Sequence, residues 1–405
     1  MDPVVQMTLM LAVLLLLGAL GEFIFSRTGI PDMIWLVAAG IVAGPVFKMI
    51  KPEVLTPALP FFGALALIII LLGGGLKFRI ADVADAAPRA LELGLAGFFF
   101  SVFATCLYAL VLIEFNIMRP APLEILIMGG AIIGGTSSMV VIPTMAGGMV
   151  DQRVARLLEV ESCSTDALCV VVTIVMIEII LLGKVHAAYP FLALAKAAGF
   201  GMGIGAVGGL IYLPFMPHLK GKGHAYTVLI AWFLIVYSVV TLTGGNGALG
   251  VLVCALLIGN ASDLLPKLYE RIESSEFRND ESAMIIHSQL TFFVKTFFFF
   301  LIGLLFPTEL KFIIIGAGLA VVLVIARIPS VLLSLWRGGF TPQQQKLVMV
   351  SIPRGLAAGV LSTLPLYSGV PNMENLAPVI FSTIVFSILI FAGGFAILNR
   401  RSASG

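Results

Sequence analysis

The chain has 405 residues, of which 60% are hydrophobic and 11% are charged, and its formal net charge is +2. Soluble domains carry about twice that share of charged residues, so this composition, with a mean hydropathy of +1.09, excludes a water-soluble globular protein. The small net charge does not indicate nucleic-acid binding, and the four cysteines lie in apolar segments without the spacing of a metal site.

Apolar stretches of membrane-spanning length recur along the whole chain. A helix needs about 20 residues to cross the ~30 Å hydrocarbon core, whereas a transmembrane β-barrel would show short alternating segments. Turn residues and charges therefore predict an all-α polytopic membrane protein with about 13 transmembrane helices. The predicted spans cover residues 4–25, 31–47, 58–76, 88–113, 123–146, 154–182, 190–215, 226–242, 247–259, 285–306, 310–336, 343–367 and 376–398.

The ends of the chain and the basic residues predict an orientation. The first span has no basic residue before it and no small-residue cleavage pattern, so we expect a retained helix and not a signal peptide. An odd number of spans puts the termini on opposite sides. With the N-terminus outside, most of the 24 Lys and Arg residues fall in inner loops, which predicts an inner (plasma) membrane protein with a cytoplasmic C-terminus. No soluble domain is expected.

Spans 5 and 12 contain glycine, proline and polar residues at membrane depth. The segments are GGTSSMVVIP at 134–143 and SIPRGLAAG at 351–359. Unwound backbone is tolerated within a membrane where it lines a cavity or is covered by protein. If spans 1–6 and 8–13 form two inverted repeats joined by span 7, spans 5 and 12 are equivalent. Paired broken helices in two repeats are typical of the binding site of a secondary transporter.

Few ionisable residues lie inside the predicted spans. A charge at the bilayer centre costs at least ~2.5–3.5 kcal/mol, so each of them is a candidate functional residue. Glu161 and Asp166 lie in span 6, Lys295 in span 10, Arg327 in span 11 and Arg354 in span 12.

Span 6 predicts different tasks for its two acids. Ser162 and Asp166 are four residues apart and share a helix face, whereas Glu161 lies about 140° around the helix from Asp166. Asp166 and Ser162 can therefore offer oxygen ligands to a water-filled cavity. Glu161 needs a cationic partner, for which Arg327 is the first candidate and Arg354 the second.

An acid that binds a cation and a proton in turn is sufficient for coupled exchange, because the two ions compete for one site. Carboxylate, hydroxyl, backbone carbonyl and water oxygens suit a small monovalent ion, and no second acid stands beside Asp166 to suit a divalent one. These residues predict a secondary transporter that exchanges a monovalent cation for protons and needs no cofactor. The alternative is that Asp166 pairs with Lys295 or an arginine and serves to hold helices together.

Six motifs follow one another along nearly the whole chain: GGTSSMVVIP, ESCSTDAL, GGNGALGVLVCALLIGN, FFFFLIGLLF, IARIPS and SIPRGLAAG. Together they resemble the monovalent cation/proton antiporter superfamily, and most of all its NhaP-like sodium/proton exchanger branch. The resemblance implies a homodimer with two broken helices crossing in a core that moves like an elevator. The core would comprise residues 88–183 and 285–398, and the dimerisation scaffold residues 1–76 and 190–260.

The resemblance also assigns roles at the ion site. It implies that Asp166 binds the ion and the proton, that Ser162 supplies a hydroxyl ligand and that Thr136 supplies a ligand from the unwound segment. These three residues form the predicted Na⁺ site. Thr165, which we also count with the ion- and proton-binding residues, departs from the branch, which usually has Asn there, while the electrogenic branch has Asp. Because threonine offers a hydroxyl but no charge, the sequence favours electroneutral exchange of one cation for one proton.

Three basic residues are predicted to be structural charge partners. Glu161, which we count with the ion- and proton-binding residues, matches the glutamate that pairs with the arginine seen here as Arg327. Arg354 matches the arginine of the second broken helix. Lys295 is interpreted as structural or snorkelling, although electrogenic relatives have an intramembrane lysine partner for the aspartate at the position of Arg327.

Several functions remain open at this point. The sequence favours exchange of Na⁺ or Li⁺ for H⁺, with K⁺/H⁺ exchange on the same fold as the alternative. A cation channel is disfavoured because no filter-like run of backbone carbonyls with repeated glycine and aromatic residues occurs. An enzyme is not expected, since the sequence has no G-x-S-x-G elbow and no H-E-x-x-H pair. The expected partners are monovalent cations, protons, the lipid bilayer and a second copy of the chain, and not nucleic acid.

Overall fold

A computed structural model describes residues 3–28, 31–48, 50, 59–77, 87–137, 140–141, 152–182, 188–219, 222, 224–261, 281–336 and 338–403. These residues are almost entirely helical. The helices are α1 (Pro3–Thr28), α2 (Asp32–Ile41), α3 (Leu59–Lys77), α4 (Ala87–Glu114), α5 (Leu123–Ile132), α6 (Gln152–Leu182), α7 (Ala188–Tyr212), α8 (Met216–Leu219), α9 (Ala225–Leu242), α10 (Gly247–Gly259), α11 (Glu281–Leu304), α12 (Leu310–Leu335), α13 (Pro342–Val350), α14 (Leu356–Tyr367) and α15 (Leu376–Ala403).

Seven helices of the described part are long and apolar enough to cross a membrane. Shorter apolar helices occupy other predicted spans, and one of them, α2, continues through a π-helical turn at Val42–Val46 that contains Pro45. Proline lacks the N–H that a regular α-helix requires, which accounts for the irregular turn. The all-α polytopic class is confirmed. The count of 13 spans stays a prediction, because these shorter helices fall below the length of a simple span.

The break predicted in spans 5 and 12 is confirmed. Helix α5 ends at Ile132 and is followed by non-helical backbone through residue 137, and residues 351–355 separate α13 from α14 in the same way. The two segments meet where they cross, and there the Ser137 N–H donates to the Pro353 carbonyl at 2.9 Å. A Cβ on Gly355 would lie 2.0 Å from Ser137 Oγ, so the crossing requires glycine at 355. Residues 142–146 of predicted span 5 lie outside the described residues.

Two close helix crossings are related as inverted repeats require. Span 2 packs on span 10 through α2 and α11, where a Cβ on Gly40 would lie 2.8 Å from Gly303 Cα. Span 9 packs on span 3 through α10 and α3, where a Cβ on Gly259 would lie 2.8 Å from the Gly75 carbonyl oxygen. In the predicted numbering of thirteen spans, spans 2 and 9 hold equivalent places in the two repeats, and so do spans 3 and 10. Small residues let both pairs of backbones approach closely.

Around the crossing segments, helix α4 packs against α5, α6 and α12, and α12 packs in turn against α15. Helix α11 lies mainly along α2, and α10 lies between α3 and α7. The charged residues predicted in the spans therefore lie in two places: near the crossing, and in the contact of α2 with α11. The core and scaffold boundaries given above stay predictions.

Candidate functional site

A buried ion pair joins α6 to α12. Glu161 is 0% exposed and Arg327 is 4% exposed. Arg327 Nη1 donates to one carboxylate oxygen of Glu161, and Nη2 donates to the other at 2.7 Å. The Nε of the same arginine donates to the Val348 carbonyl at the end of α13, at 3.3 Å. Such a two-pronged, charge-assisted contact is strong and directional, so it ties three elements together.

Two glycines of α4 leave space for this ion pair. A Cβ on Gly97 would lie 3.1 Å from Arg327 Nη1, and a Cβ on Gly94 would lie 2.9 Å from Ser164 Oγ. The two glycines are three residues apart and share a helix face. The contribution of α4 to the site was not predicted from the sequence. The signal that could have revealed it is the spacing of small residues in the otherwise bulky segment GLAGFFFS at 94–101.

Arg354 is a second buried guanidinium, with different surroundings. It is 2% exposed and extends from the unwound segment of span 12. Its Nη1 donates to the Gly135 carbonyl, and its Nη2 donates to Ser101 Oγ on α4 at 3.2 Å. Its backbone N–H donates to Ser387 Oγ at 2.9 Å. Within the described residues Arg354 makes no ion pair, so carbonyl and hydroxyl dipoles balance its charge.

The predicted ion ligands come from the unwound segment of span 5 and from α6. Thr136 Oγ1 and Ser162 Oγ lie 3.0 Å apart, and both side chains are buried. Asp166 lies one turn further along α6 and is half-buried. In the part of the chain that the structure describes, Asp166 makes no hydrogen bond and no ion pair. The geometry thus combines a carboxylate with available oxygens, two hydroxyls and adjoining non-helical backbone.

Thr165, the residue at which this chain departs from the branch, is buried against the unwound segment. Its hydroxyl donates to the Ser162 carbonyl at 3.2 Å. A Cβ on Gly135 would lie 3.2 Å from Thr165 Oγ1 and 2.9 Å from Cys169 Sγ. Thr165 therefore satisfies its hydroxyl within its own helix and adds no charge beside Asp166.

Lys295 lies away from these residues, in the contact of α11 with α2. Its Nζ binds Asp32 Oδ2 at 2.5 Å, and the two side chains are 16% and 10% exposed. The pairing of Asp166 with Lys295, which the sequence left open, is not seen among the described residues. Asp32 was not predicted from the sequence as the partner of Lys295. Its signal was an acid at the second residue of predicted span 2, directly after Pro31.

Comparison with known proteins identifies the family. The family model described as "Sodium/hydrogen exchanger, transmembrane" matches residues 11–400. The chain belongs to the sodium/hydrogen exchanger family. This match covers nearly all the described helices, including both broken spans and every buried charge discussed above.

Some relatives of this exchanger are named as K(+)/H(+) antiporters and another as a probable Na(+)/H(+) antiporter. The K(+)/H(+) antiporter NhaP2 of Shewanella baltica is 27% identical over 378 residues, which cover 90% of this chain and 61% of that protein. The K(+)/H(+) antiporter NhaP of Alkalimonas amylolytica is 27% identical over 97% of this chain and 66% of its own length. The "Probable Na(+)/H(+) antiporter 2" of Methanocaldococcus jannaschii is 23% identical, covering 91% and 86%. The chain thus spans less than two thirds of the length of the K(+)/H(+) antiporters it matches.

Solved structures show the same fold. The sodium proton antiporter MjNhaP1 from Methanocaldococcus jannaschii at pH 8 superposes with a TM-score of 0.79 at 21% identity, covering 98% of this chain and 99% of that one. An electron-microscopy structure of MjNhaP1 gives a TM-score of 0.76. Together with the relatives, these structures confirm the resemblance to the NhaP-like branch that the motifs predicted.

Proposed function

We propose that this exchanger is a secondary antiporter that moves a monovalent cation and protons in opposite directions across the plasma membrane. The carrying observation is Asp166, the half-buried acid that has no ionic partner among the described residues. It lies one turn from the hydroxyl pair of Thr136 and Ser162. The other acid of this site, Glu161, is neutralised by Arg327. Membership of the sodium/hydrogen exchanger family supports the assignment.

The chemistry of exchange follows from a single carboxylate. Ionised Asp166 attracts a cation, whose remaining ligands come from the hydroxyl oxygens, the unwound backbone and water. Each hydroxyl keeps two lone pairs and can turn its proton away from the metal ion. Protonated Asp166 offers no net charge to the cation. The site therefore holds one ion or the other, and this competition couples their movements.

Two alternatives are open for the exchanged ion: Na⁺ or Li⁺ is the first, and K⁺ is the second. Hard oxygen ligands from a carboxylate and two hydroxyls favour Na⁺ or Li⁺, as the sequence predicted. The names of the relatives matched over most of this chain favour K⁺ as the second candidate. The same proteoliposome assay, run with each alkali cation, distinguishes them by the concentration that gives half the maximal rate.

We further infer that exchange is electroneutral, one cation for one proton. Thr165 is uncharged, Lys295 is bound to Asp32, and Arg327 is bound to Glu161. Within the described residues, Asp166 is thus the one unpaired acid near the hydroxyl pair, and its single negative charge can be balanced by one cation or neutralised by one proton. We expect the exchange rate to stay constant when a voltage is imposed across the vesicles. A rate that varies steeply with voltage would contradict this stoichiometry.

The function is tested with an Asp166→Asn variant in proteoliposomes that contain a pH-sensitive dye. Asparagine keeps the shape of the side chain but cannot ionise, so we expect proton movement on cation addition to fall to the level of protein-free vesicles. Glu159→Gln is the matched control, because Glu159 is also a half-buried acid of α6. It should exchange like the wild type. Wild-type exchange by Asp166→Asn, or single-channel currents, would overturn the proposal.

We also propose the assembly and movement that the resemblance implies. Two copies would associate through the scaffold of residues 1–76 and 190–260, with the core of residues 88–183 and 285–398 moving across the membrane. The N-terminus would lie outside and the C-terminus in the cytoplasm. The mass of the purified protein in detergent tests the dimer, and accessibility of a tag at either terminus in intact cells tests the orientation.

A further inference from the structure

Thr136 lies between two hydrogen bonds that come from the other broken span. The carbonyl of Gly135 accepts a hydrogen bond from Arg354 Nη1. The N–H of Ser137 donates to the Pro353 carbonyl at 2.9 Å. Two adjacent residues of span 12 therefore hold the peptide groups on both sides of Thr136. The place of the Thr136 hydroxyl depends on where the Arg354 guanidinium is held.

The Arg354 guanidinium is held in turn by Ser101 of α4. Its Nη2 donates to Ser101 Oγ at 3.2 Å, and Ser101 is 4% exposed. Among the described residues Arg354 Nε has no acceptor. The Ser101 hydroxyl and the Gly135 carbonyl are thus the two acceptors that the described part of the chain gives to this buried cation. Losing either one leaves the guanidinium free to tilt.

The surrounding face of α4 lies directly on the unwound segment. A Cβ on Gly134 would lie 2.5 Å from Phe98 Cδ2, and a Cβ on Gly130 would lie 2.9 Å from Val102 Cα. Phe98, Ser101 and Val102 have the spacing of one helix face. Ser101 therefore lies within a packed interface in which α4 supports the end of α5 and the backbone that follows it.

We propose that Ser101 is a positioning residue of the ion site, whose hydroxyl holds Arg354 so that span 12 fixes the peptide groups on both sides of Thr136. This rests on the proposed function, because it takes the Thr136 hydroxyl as a cation ligand. Ser101 acts through Arg354 and does not touch the ion. Loss of the Ser101 hydroxyl displaces the Thr136 ligand without removing it. The cation therefore binds more weakly, while the core of the cation-loaded protein still moves across the membrane.

The experiment measures the half-saturating cation concentration and the maximal exchange rate for three variants in proteoliposomes. Ser101→Ala should raise the half-saturating concentration about tenfold, because a guanidinium that has lost this acceptor no longer fixes the peptide groups beside Thr136, with little change in maximal rate. Ser101→Thr keeps the hydroxyl and should restore the wild-type value. Thr105→Val is the matched control, because Thr105 is buried one turn along α4 and bonds to the Ser101 carbonyl, not to Arg354.

The outcomes separate this role from a merely structural one. An unchanged half-saturating concentration in Ser101→Ala overturns the proposal, and so does a lower folded yield and maximal rate without a change in that concentration. If Ser101→Ala does not fold, Ser101→Cys replaces it and should give an intermediate shift, because a thiol is a weak acceptor.

Thermal stabilisation of the detergent-solubilised protein by NaCl, LiCl or KCl gives a second measure of binding that needs no transport. A wild type that neither exchanges nor is stabilised by any of these cations refutes the proposed function, and the role of Ser101 falls with it. A wild type that responds to cations, beside a Ser101→Ala variant with the same response, refutes the role of Ser101 alone.

Discussion

Two arginines near the crossing illustrate how a membrane protein keeps charge buried. Arg327 has a carboxylate partner in Glu161, whereas Arg354 has a carbonyl and a hydroxyl. Burying an ion is unfavourable unless its charge is paired or its hydrogen bonds are met. The two solutions suit different places. Arg327 joins regular helices, and Arg354 stabilises backbone whose carbonyls have lost their helical partners.

Removing the acid of the buried pair should destabilise the protein. In Glu161→Ala, Arg327 would remain at 4% exposure without its carboxylate, which we expect to cost about 3–5 kcal/mol. The measurement is thermal unfolding in detergent, followed by the loss of the monodisperse peak in size-exclusion chromatography. The matched control, Glu159→Ala, removes an acid of the same helix that forms no ion pair within the described residues, and should melt like the wild type.

A double variant makes this prediction sharper. Glu161→Ala combined with Arg327→Leu removes both charges, so much of the lost stability should return. A melting temperature of Glu161→Ala equal to that of the wild type would show that the pair does not contribute to folding.

At the scale of elements, the crossing depends on two short non-helical segments and the residues that let them touch. Helices α13 and α14 are separated by residues 351–355, and the Ser137 N–H reaches the Pro353 carbonyl. Backbone groups that would be unsatisfied in a membrane thus find partners in the opposite segment. The crossing itself supplies part of the hydrogen bonding that the broken helices lack.

A methyl group at the crossing should block exchange. In Gly355→Ala the new Cβ would meet Ser137 Oγ at 2.0 Å and Ser137 Cβ at 2.4 Å, so the segments must separate. We expect exchange in proteoliposomes to fall at least tenfold, because a displacement of about 1 Å at a site can cost a hundredfold. Gly393→Ala is the control, since a Cβ on Gly393 would meet nothing within 4 Å.

The cause of the loss can be tested by a compensating change. Ser137→Gly removes both clashing atoms, so Gly355→Ala with Ser137→Gly should recover much of the activity. If the double variant is as inactive as Gly355→Ala, then the steric explanation is wrong.

At the scale of the whole molecule, the fold separates two groups of buried charge. The hydroxyl pair and the two arginines lie near the crossing, while Lys295 and Asp32 lie in the contact of α11 with α2. Asp32 to Gly40 and Lys295 to Gly303 span the same number of residues, so the ion pair and the glycine contact keep α2 and α11 parallel and in register. Lys295 is thereby paired with Asp32, away from the candidate ion site.

Competition between ions predicts how transport depends on pH. In the proposed mechanism a proton on Asp166 must leave before a cation binds, so at acid pH the half-saturating cation concentration should rise about tenfold for each unit of pH. At alkaline pH the site is already ionised and the concentration should level off. Exchange measured at fixed low cation should therefore decline on acidification, and saturating cation should restore it. A constant half-saturating concentration from about pH 5 to about pH 8.5 would argue against a shared site.

The sequence predicted the fold class and the breaks because these have local causes. Runs of apolar residues identify helices, which form all their backbone hydrogen bonds internally in lipid. The glycines and prolines at 134–143 and 351–359 identify where the helices are interrupted. Glu161, Asp166 and the basic residues could be identified as candidates because a charge inside the membrane is costly and therefore rare. The roles of the ion-site residues stay predictions until transport is measured.

Partner choice was decided by the tertiary structure. Nothing in the sequence says that Lys295 meets Asp32, or that Ser101 of α4 receives Arg354, because those groups are far apart in the chain and any acid or hydroxyl could have served. Local composition determined which residues must be buried with a partner. For Lys295 and Arg354, only the packing of helices from both repeats determined which residue became the partner. A contact across the fold depends on the positions of all the helices at once.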